Sequence, residues 1–287
     1  MPTCFFVSDL HGRLDRYRKL FRIIGEERPG AVFLGGDLLP LGLSAIESLD
    51  FDHQDFVNDF LIRQLQRLQE TLGAAYPRVC VILGNDDSRS EEASIIAAAT
   101  TGVWEYIHDR RVSLAGHDVY GYACVPPTPF MLKDWERYDV SRYVDPGCVS
   151  PEDGQRSVPV PENQVKYATI KDDLTSLVGK RSVERAIFLF HSPPYKTNLD
   201  RAALDGKIID HAPLDVHVGS IAIQRFIEEK QPLITLHGHV HESARITGAW
   251  SQRLGRTCCL SAAHDGPELA LVRFDPENPT AATRALI

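Results

Sequence analysis

Short apolar runs of four or five residues, each followed by histidine, aspartate or asparagine, constrain this chain more than any other feature. Phe5 to Ser8, Ala31 to Leu34 and Val79 to Leu83 read as three strands, and Ala186 to Phe190 and Leu233 to Leu236 repeat the pattern further on. Helix-period stretches lie between them. Leu14, Tyr17, Leu20, Phe21 and Ile24 mark one apolar face, Phe56, Phe60, Leu61, Leu65, Leu68 and Leu72 mark a longer one, and a small helix is expected near 91 to 99. Such alternation is the pattern of an α/β fold. Arg111 to Leu114 and Val119 to Tyr122 read as a hairpin around Gly116 and His117, and runs at 257 to 261 and 268 to 274 as antiparallel strands.

Residues 123 to 163 break this rhythm with prolines 126, 127, 129, 146, 151, 159 and 161 and no clear period, so they read as a long loop or lid. Strands of the same kind resume after it, which makes it an insertion within one domain spanning 1 to 287 rather than a linker. Trp135, Tyr138 and Lys133 in this stretch are read as loop packing, with a lid or homodimer surface as the alternative.

With 43% hydrophobic residues in 287, the chain can bury a full core. Its 39 acidic residues outnumber 31 basic ones, a formal net charge of -8, which argues against a non-specific grip on nucleic acid. The longest apolar stretches fall far short of the roughly 20 residues of a membrane helix. The N-terminus lacks the pattern of a signal peptide and the six cysteines form no CxxC pair, so reduced thiols and a cytoplasmic location are expected.

The chemistry-bearing residues sit just past the strand ends, where open α/β sheets place ligands. Strand one runs into Asp9-Leu10-His11-Gly12, strand two into Gly35-Gly36-Asp37, and strand three into Gly84-Asn85-Asp86-Asp87; later strands end at His191 and at Gly238-His239-Val240-His241. One such residue alone would read as a helix cap or a core histidine. Five in succession do not, because capping has no need of histidine.

In these five motifs the chain resembles the calcineurin-like metallophosphoesterases, from Asp9 to about His241. The resemblance implies a four-layer α-β-β-α sandwich of two mixed β-sheets flanked by helices, with two divalent metal ions between the sheet ends. Residue by residue, it implies that Asp9, His11 and His241 hold one ion, that Asn85, His191 and His239 hold the other, and that Asp37 bridges both. Mutual repulsion of two cations about 4 Å apart calls for such a shared anion. The implied reaction is in-line attack on phosphorus by a metal-bound hydroxide, with Asp86, His191 and His239 as the residues closest to the chemistry. Nitrogen and oxygen donors without thiolate suit Mn, Fe, Zn, Co or Ni.

The sequence departs from the family where most members carry a histidine after the motif-three asparagine. Here Asp86 stands in that place, with Arg89 as a candidate partner, and loss of the imidazole acid is expected to favour phosphodiesters or esters with good leaving groups. Tyr195 and His217, on the loop after His191, are candidate substrate contacts, with packing as the alternative. His264 replaces a turn found in many relatives and reads as either a site residue or a surface one, while Ser220 reads as a helix cap. The substrate class expected is a small phosphomonoester or phosphodiester. A non-catalytic scaffold on the same fold and a lipid-precursor pyrophosphatase are the competing readings, the latter suggested by Phe130, Met131, Leu132 and Trp135.

Overall fold

The computed structural model describes residues 3–40, 55–209 and 211–287. Among them, fourteen strands run in the order β1 (Cys4–Val7), β2 (Ala31–Gly35), β3 (Arg78–Ile82), β4 (Glu105–Tyr106), β5 (Arg110–Leu114), β6 (His117–Tyr122), β7 (Ile187–Phe190), β8 (Ile208–Ile209), β9 (Ala212–Pro213), β10 (Ile234–His237), β11 (Ser251–Leu254), β12 (Thr257–Ser261), β13 (Ala270–Phe274) and β14 (Thr283–Leu286). Twelve of them make two six-stranded sheets, ordered β14-β13-β1-β2-β3-β4 and β11-β12-β10-β7-β6-β5. Every residue of β1, β2, β7 and β10 is buried, which is why these strands are continuous apolar runs rather than alternating ones. The sheets pack face to face, β2 near β7 and β3 near β6.

Both sheets are mixed. In the first, β1 through β4 are parallel and β13 and β14 are antiparallel additions. The second differs from the sequence expectation. That expectation sets β12 in an antiparallel arrangement, yet it pairs parallel to β10 and antiparallel only to β11, while β13 crosses back to the first sheet beside β1. Apolar runs alone carry no information on strand direction, so this return is not legible in them.

Helices cover both outer faces. Leu14–Glu27 packs against Arg63–Leu72 on one side, and Ile170–Val178 against Ile221–Lys230 on the other. The helix expected from Phe56 to Leu72 begins as a wider π-helical stretch, Phe56–Ile62. Phe56 and Phe60 both contact the Tyr17 ring, the first tilted and the second edge-on. The expected hairpin is present, but its turn is Ala115-Gly116, both at positive φ, and His117 lies inside β6, its imidazole held by Arg185 and Glu277.

The 123–163 stretch contains no named strand and is organised from within. Lys133, fully buried, donates to Glu136 at 2.6 Å and to the Thr128 carbonyl at 2.9 Å, and Glu136 also accepts from Thr128. Trp135 and Tyr138 are buried beside this pair. Among the described residues, no helix is long and apolar enough to cross a membrane.

Candidate metal centre

Five strand-end loops meet at one point between the sheets. Asp9, His11, Asp37 and Asn85 come from the first sheet, His191, His239 and His241 from the second. Donor atoms of Asp9, His11, Asp37 and His241 lie within 4.8 Å of one another, and those of Asp37, His191 and His239 form a second such group. Asp37 belongs to both. Asn85 Oδ1 joins the second, 3.0 Å from His191 Nε2.

Backbone strain concentrates at these residues. Asp9, His11, Asp37 and His239 all have positive φ, between 46° and 74°. Each such non-glycine residue costs about 1–3 kcal/mol, which the surrounding contacts must hold in place. Glycine serves where even Cβ would intrude. A Cβ on Gly84 would strike Asp37 Oδ1 and come within 2.7 Å of His191, and one on Gly238 would strike Ser8 and sit 2.8 Å from Asp9 Oδ2.

The loops are tied across the sheets. His191 Nδ1 donates to the Gly35 carbonyl at 2.8 Å, which turns Nε2 toward Asp37 Oδ2 at 3.2 Å. The His239 N–H donates to Asp9 Oδ1 at 2.9 Å, and the Asp86 N–H donates to Asp37 Oδ1 at 2.9 Å. Two residues without an assigned role in the sequence reading hold these loops. Asp87 is fully buried, and its carboxylate accepts from the backbone N–H groups of Leu38, Leu39 and Gly84, clamping the Asp37 loop to the Asn85 loop. Arg16 donates to the Asp9 carbonyl at 2.6 Å and to Gly266. Asp87 was visible as the last acid of an acidic motif; Arg16 resembled any charged residue of an amphipathic helix.

Charge at the centre is strongly coupled. Burial alone would lower His191, but the Asp37 and Asp9 carboxylates and the Gly35 carbonyl together outweigh it and raise it to about 10; His241 is likewise raised against burial, to about 9, by Asp9 and Asp37 together. Burial would raise Asp9, yet His241 and the other histidines hold it well below the carboxylate range. Burial lowers His239 to about 3, leaving it neutral. Asp86 goes the other way, pushed up to about 7 by burial and then by Asp37.

A cation fits this donor set. Asp9 Oδ2 and His11 Nδ1 are buried without a hydrogen-bond partner, and His11 Nε2 and His241 Nε2 approach to 3.2 Å. At that distance one of the two nitrogens carries a proton that a cation would displace; with two carboxylates beside them and His191 oriented from behind by a backbone carbonyl, they form a nitrogen and oxygen donor set suited to divalent transition metals.

A family model described as calcineurin-like phosphoesterase matches residues 3–243. The chain belongs to that family. One solved structure overlies 100% of this chain and 99% of its own with TM-score 0.60 at 16% identity, and the TT1561 protein of Thermus thermophilus overlies 99% and 98% with TM-score 0.54 at 14% identity. A dimetal phosphatase from Danio rerio is 16% identical over 95% of this chain and 92% of that one, with TM-score 0.49. At these identities the first two likenesses speak for the fold alone. No curated protein matches by sequence.

A cleft of about 590 Å³ opens from the centre, with Asp37, Asn85, Asp86, His239 and His241 at its floor. Tyr195 and His217 line its wall, Tyr195 donating to Asp215 and His217 bonded to the buried Asp200 at 2.8 Å. Arg89 and His264 lie elsewhere. Arg89 pairs with Glu92 at 3.0 Å and sits over the Trp135 ring, so the expected partnership with Asp86 is not formed; Asp86 instead accepts from the Asn85 amide at 2.9 Å. His264 pairs with Glu268, four residues on, at 2.9 Å. Each pairs with an acid three or four residues away in sequence. Ser220 caps the helix Ile221–Lys230 through the Ile223 N–H.

Proposed function

We propose that this phosphoesterase is a binuclear metal-dependent hydrolase, with Asp9, His11 and His241 at one ion, Asn85, His191 and His239 at the other, and Asp37 between them. One observation carries the reading: two donor groups, each drawing on both sheets, share a single carboxylate, Asp37. Bound divalent ions, with Mn, Fe, Zn, Co and Ni all suited to the donors, would lower the pKa of water, orient the phosphoryl oxygens and take up charge on the leaving oxygen. The chain supplies their placement. Asp37 Oδ1 is fixed by the Asp86 N–H, which leaves Oδ2 facing His191 and His11. His191, with Nδ1 committed to Gly35, presents Nε2, and the Arg16 and His239 contacts hold Asp9 with Oδ2 free of hydrogen bonds.

Asp86 lines the cleft at the position where the family resemblance implies a histidine. Its carboxyl accepts from the Asn85 amide, and position 86 itself offers no imidazole to protonate a poor leaving group. Preference for phosphodiesters, or for esters that leave without protonation, follows from this difference. Asp86→His is expected to shift relative kcat/KM from bis(p-nitrophenyl) phosphate toward alkyl monoesters by about tenfold or more; an unchanged ratio removes the argument. The free thiols of Cys80, Cys124, Cys148, Cys258 and Cys259 are compatible with a reducing, cytoplasmic setting.

The first test is hydrolysis of bis(p-nitrophenyl) phosphate against p-nitrophenyl phosphate by chelator-stripped protein, with Mn, Zn, Ni or Mg restored singly. Metal-dependent turnover favouring the diester is expected. No turnover of either by protein holding two ions would favour a scaffold instead.

A further inference from the structure

We propose that the cleft beyond the metal centre takes an uncharged apolar chain, which makes the substrate an amphiphilic phosphate ester with one phosphoryl group and no second anion. The inference rests on the phosphoesterase reading of the centre and names its substrate class. At about 590 Å³ the cleft is within the size range of pockets for whole small molecules and far exceeds the needs of one phosphoryl group. It is continuous with the centre, since Asp37, His239 and His241 form its floor.

Its walls are apolar where they leave the floor. Pro129, Phe130 and Val140 come from the proline-rich segment, Ile209, Leu214 and Val218 from the opposite loop. Phe130 and Ile209 remain 58% and 39% exposed, apolar surface left to water beside a reactive centre. The two walls meet over the cleft: a Cβ on Gly147 would lie 2.6 Å from Ile209 Cδ1.

Three of the carboxylates along these walls are committed to the protein. Asp139 accepts from Ser220 and from the N–H groups of Ile221 and Ala222, Asp215 accepts from Tyr195 and the His217 N–H, and Glu242 accepts from the Ala203 N–H. A sugar or nucleobase would therefore find few open partners, whereas a hydrocarbon needs none. Charge points the same way. Asp139, Asp145, Asp215 and Glu242 face the cleft against Lys207, so a second phosphate or carboxylate on the substrate would meet net repulsion.

Calorimetric binding of methyl-, butyl- and octylphosphonate to the Mn-loaded full chain tests this, because phosphonates are not hydrolysed and report the cleft apart from turnover. Each methylene seated in the cleft is expected to tighten Kd about fourfold, so butyl should bind about 60-fold tighter than methyl. Ile209→Asp, which puts a charge on the cleft wall at a position 39% exposed, should cut the octyl-to-methyl ratio at least about tenfold with the circular dichroism spectrum unchanged. Affinities equal within about threefold across the series would overturn the proposal, and would do so even if methyl p-nitrophenyl phosphate is turned over and the phosphoesterase reading stands. A steep series with no ester hydrolysed would uphold the cleft and sink the phosphoesterase reading instead.

Discussion

The two sheets make unequal contributions to the centre. The first supplies both carboxylates, Asp9 and Asp37, together with His11 and the amide of Asn85; the second supplies imidazoles alone, His191, His239 and His241. Charge therefore resides on one sheet and neutral-capable nitrogen mostly on the other, and neither sheet alone supplies either complete donor group. The strain is divided too, with three of the four positive-φ residues of the centre on the first sheet. The lesson is that the first sheet fixes where charge must be balanced, and the second closes the coordination only if the sheets pack in register.

Loosening the first sheet should have the largest effect. Asp87→Ala strips three backbone N–H groups of their shared acceptor, and the expected result is a loss of about 3 kcal/mol in stability with a 10–100-fold fall in affinity for both ions. Urea denaturation and metal titration would read the two effects separately, and unchanged metal affinity would show that the Asp37 loop holds its own shape. Asn85→Ala should do less, weakening the ion on the His191 side roughly tenfold and sparing the other, since it removes one neutral ligand. Equal weakening of both would erase the distinction between the two groups.

A smaller effect belongs to the crossover between the sheets. His108 lies there, with the Ile107 N–H bonded to Val81 of the first sheet and the Asp109 N–H to Gly121 of the second. Burial, then nearby Arg89 and Arg137, lower it to about 3, and its Nδ1 accepts from the Ala123 N–H. The unfolded chain, titrating near 6.5, takes up the proton first, so this contribution is intact above pH 6.5 and is lost as pH falls toward 3. At pH 5 the loss should be at most about 2 kcal/mol. Urea midpoints at pH 7 and 5 for the parent and His108→Gln check it; the same pH dependence in both would locate the acid sensitivity elsewhere.

The grouping of the strand-end residues was more legible in the sequence than their surroundings. Asp9, His11, Asp37, Asn85, His191, His239 and His241 stand at strand ends, and strand ends announce themselves as short apolar runs closing in glycine and polar residues. Strand direction leaves no such mark: β13 is antiparallel to both neighbours as expected, but β12 runs parallel to β10. Arg89 and His264 looked available because three- and four-residue neighbours such as Glu92 and Glu268 capture a side chain without any periodic signal. The cleft was invisible for a related reason: its walls join Phe130 and Pro129 to Ile209 and Leu214, residues some eighty positions apart in an irregular backbone.

The account turns on Asp37 as the carboxylate shared by both donor groups, and metal counting tests that most directly. Elemental analysis of Asp37→Ala, after saturation with Mn and removal of free ion, should find both ions lost together while circular dichroism shows the sheets intact. Retention of two ions per chain with full phosphodiesterase activity would contradict it.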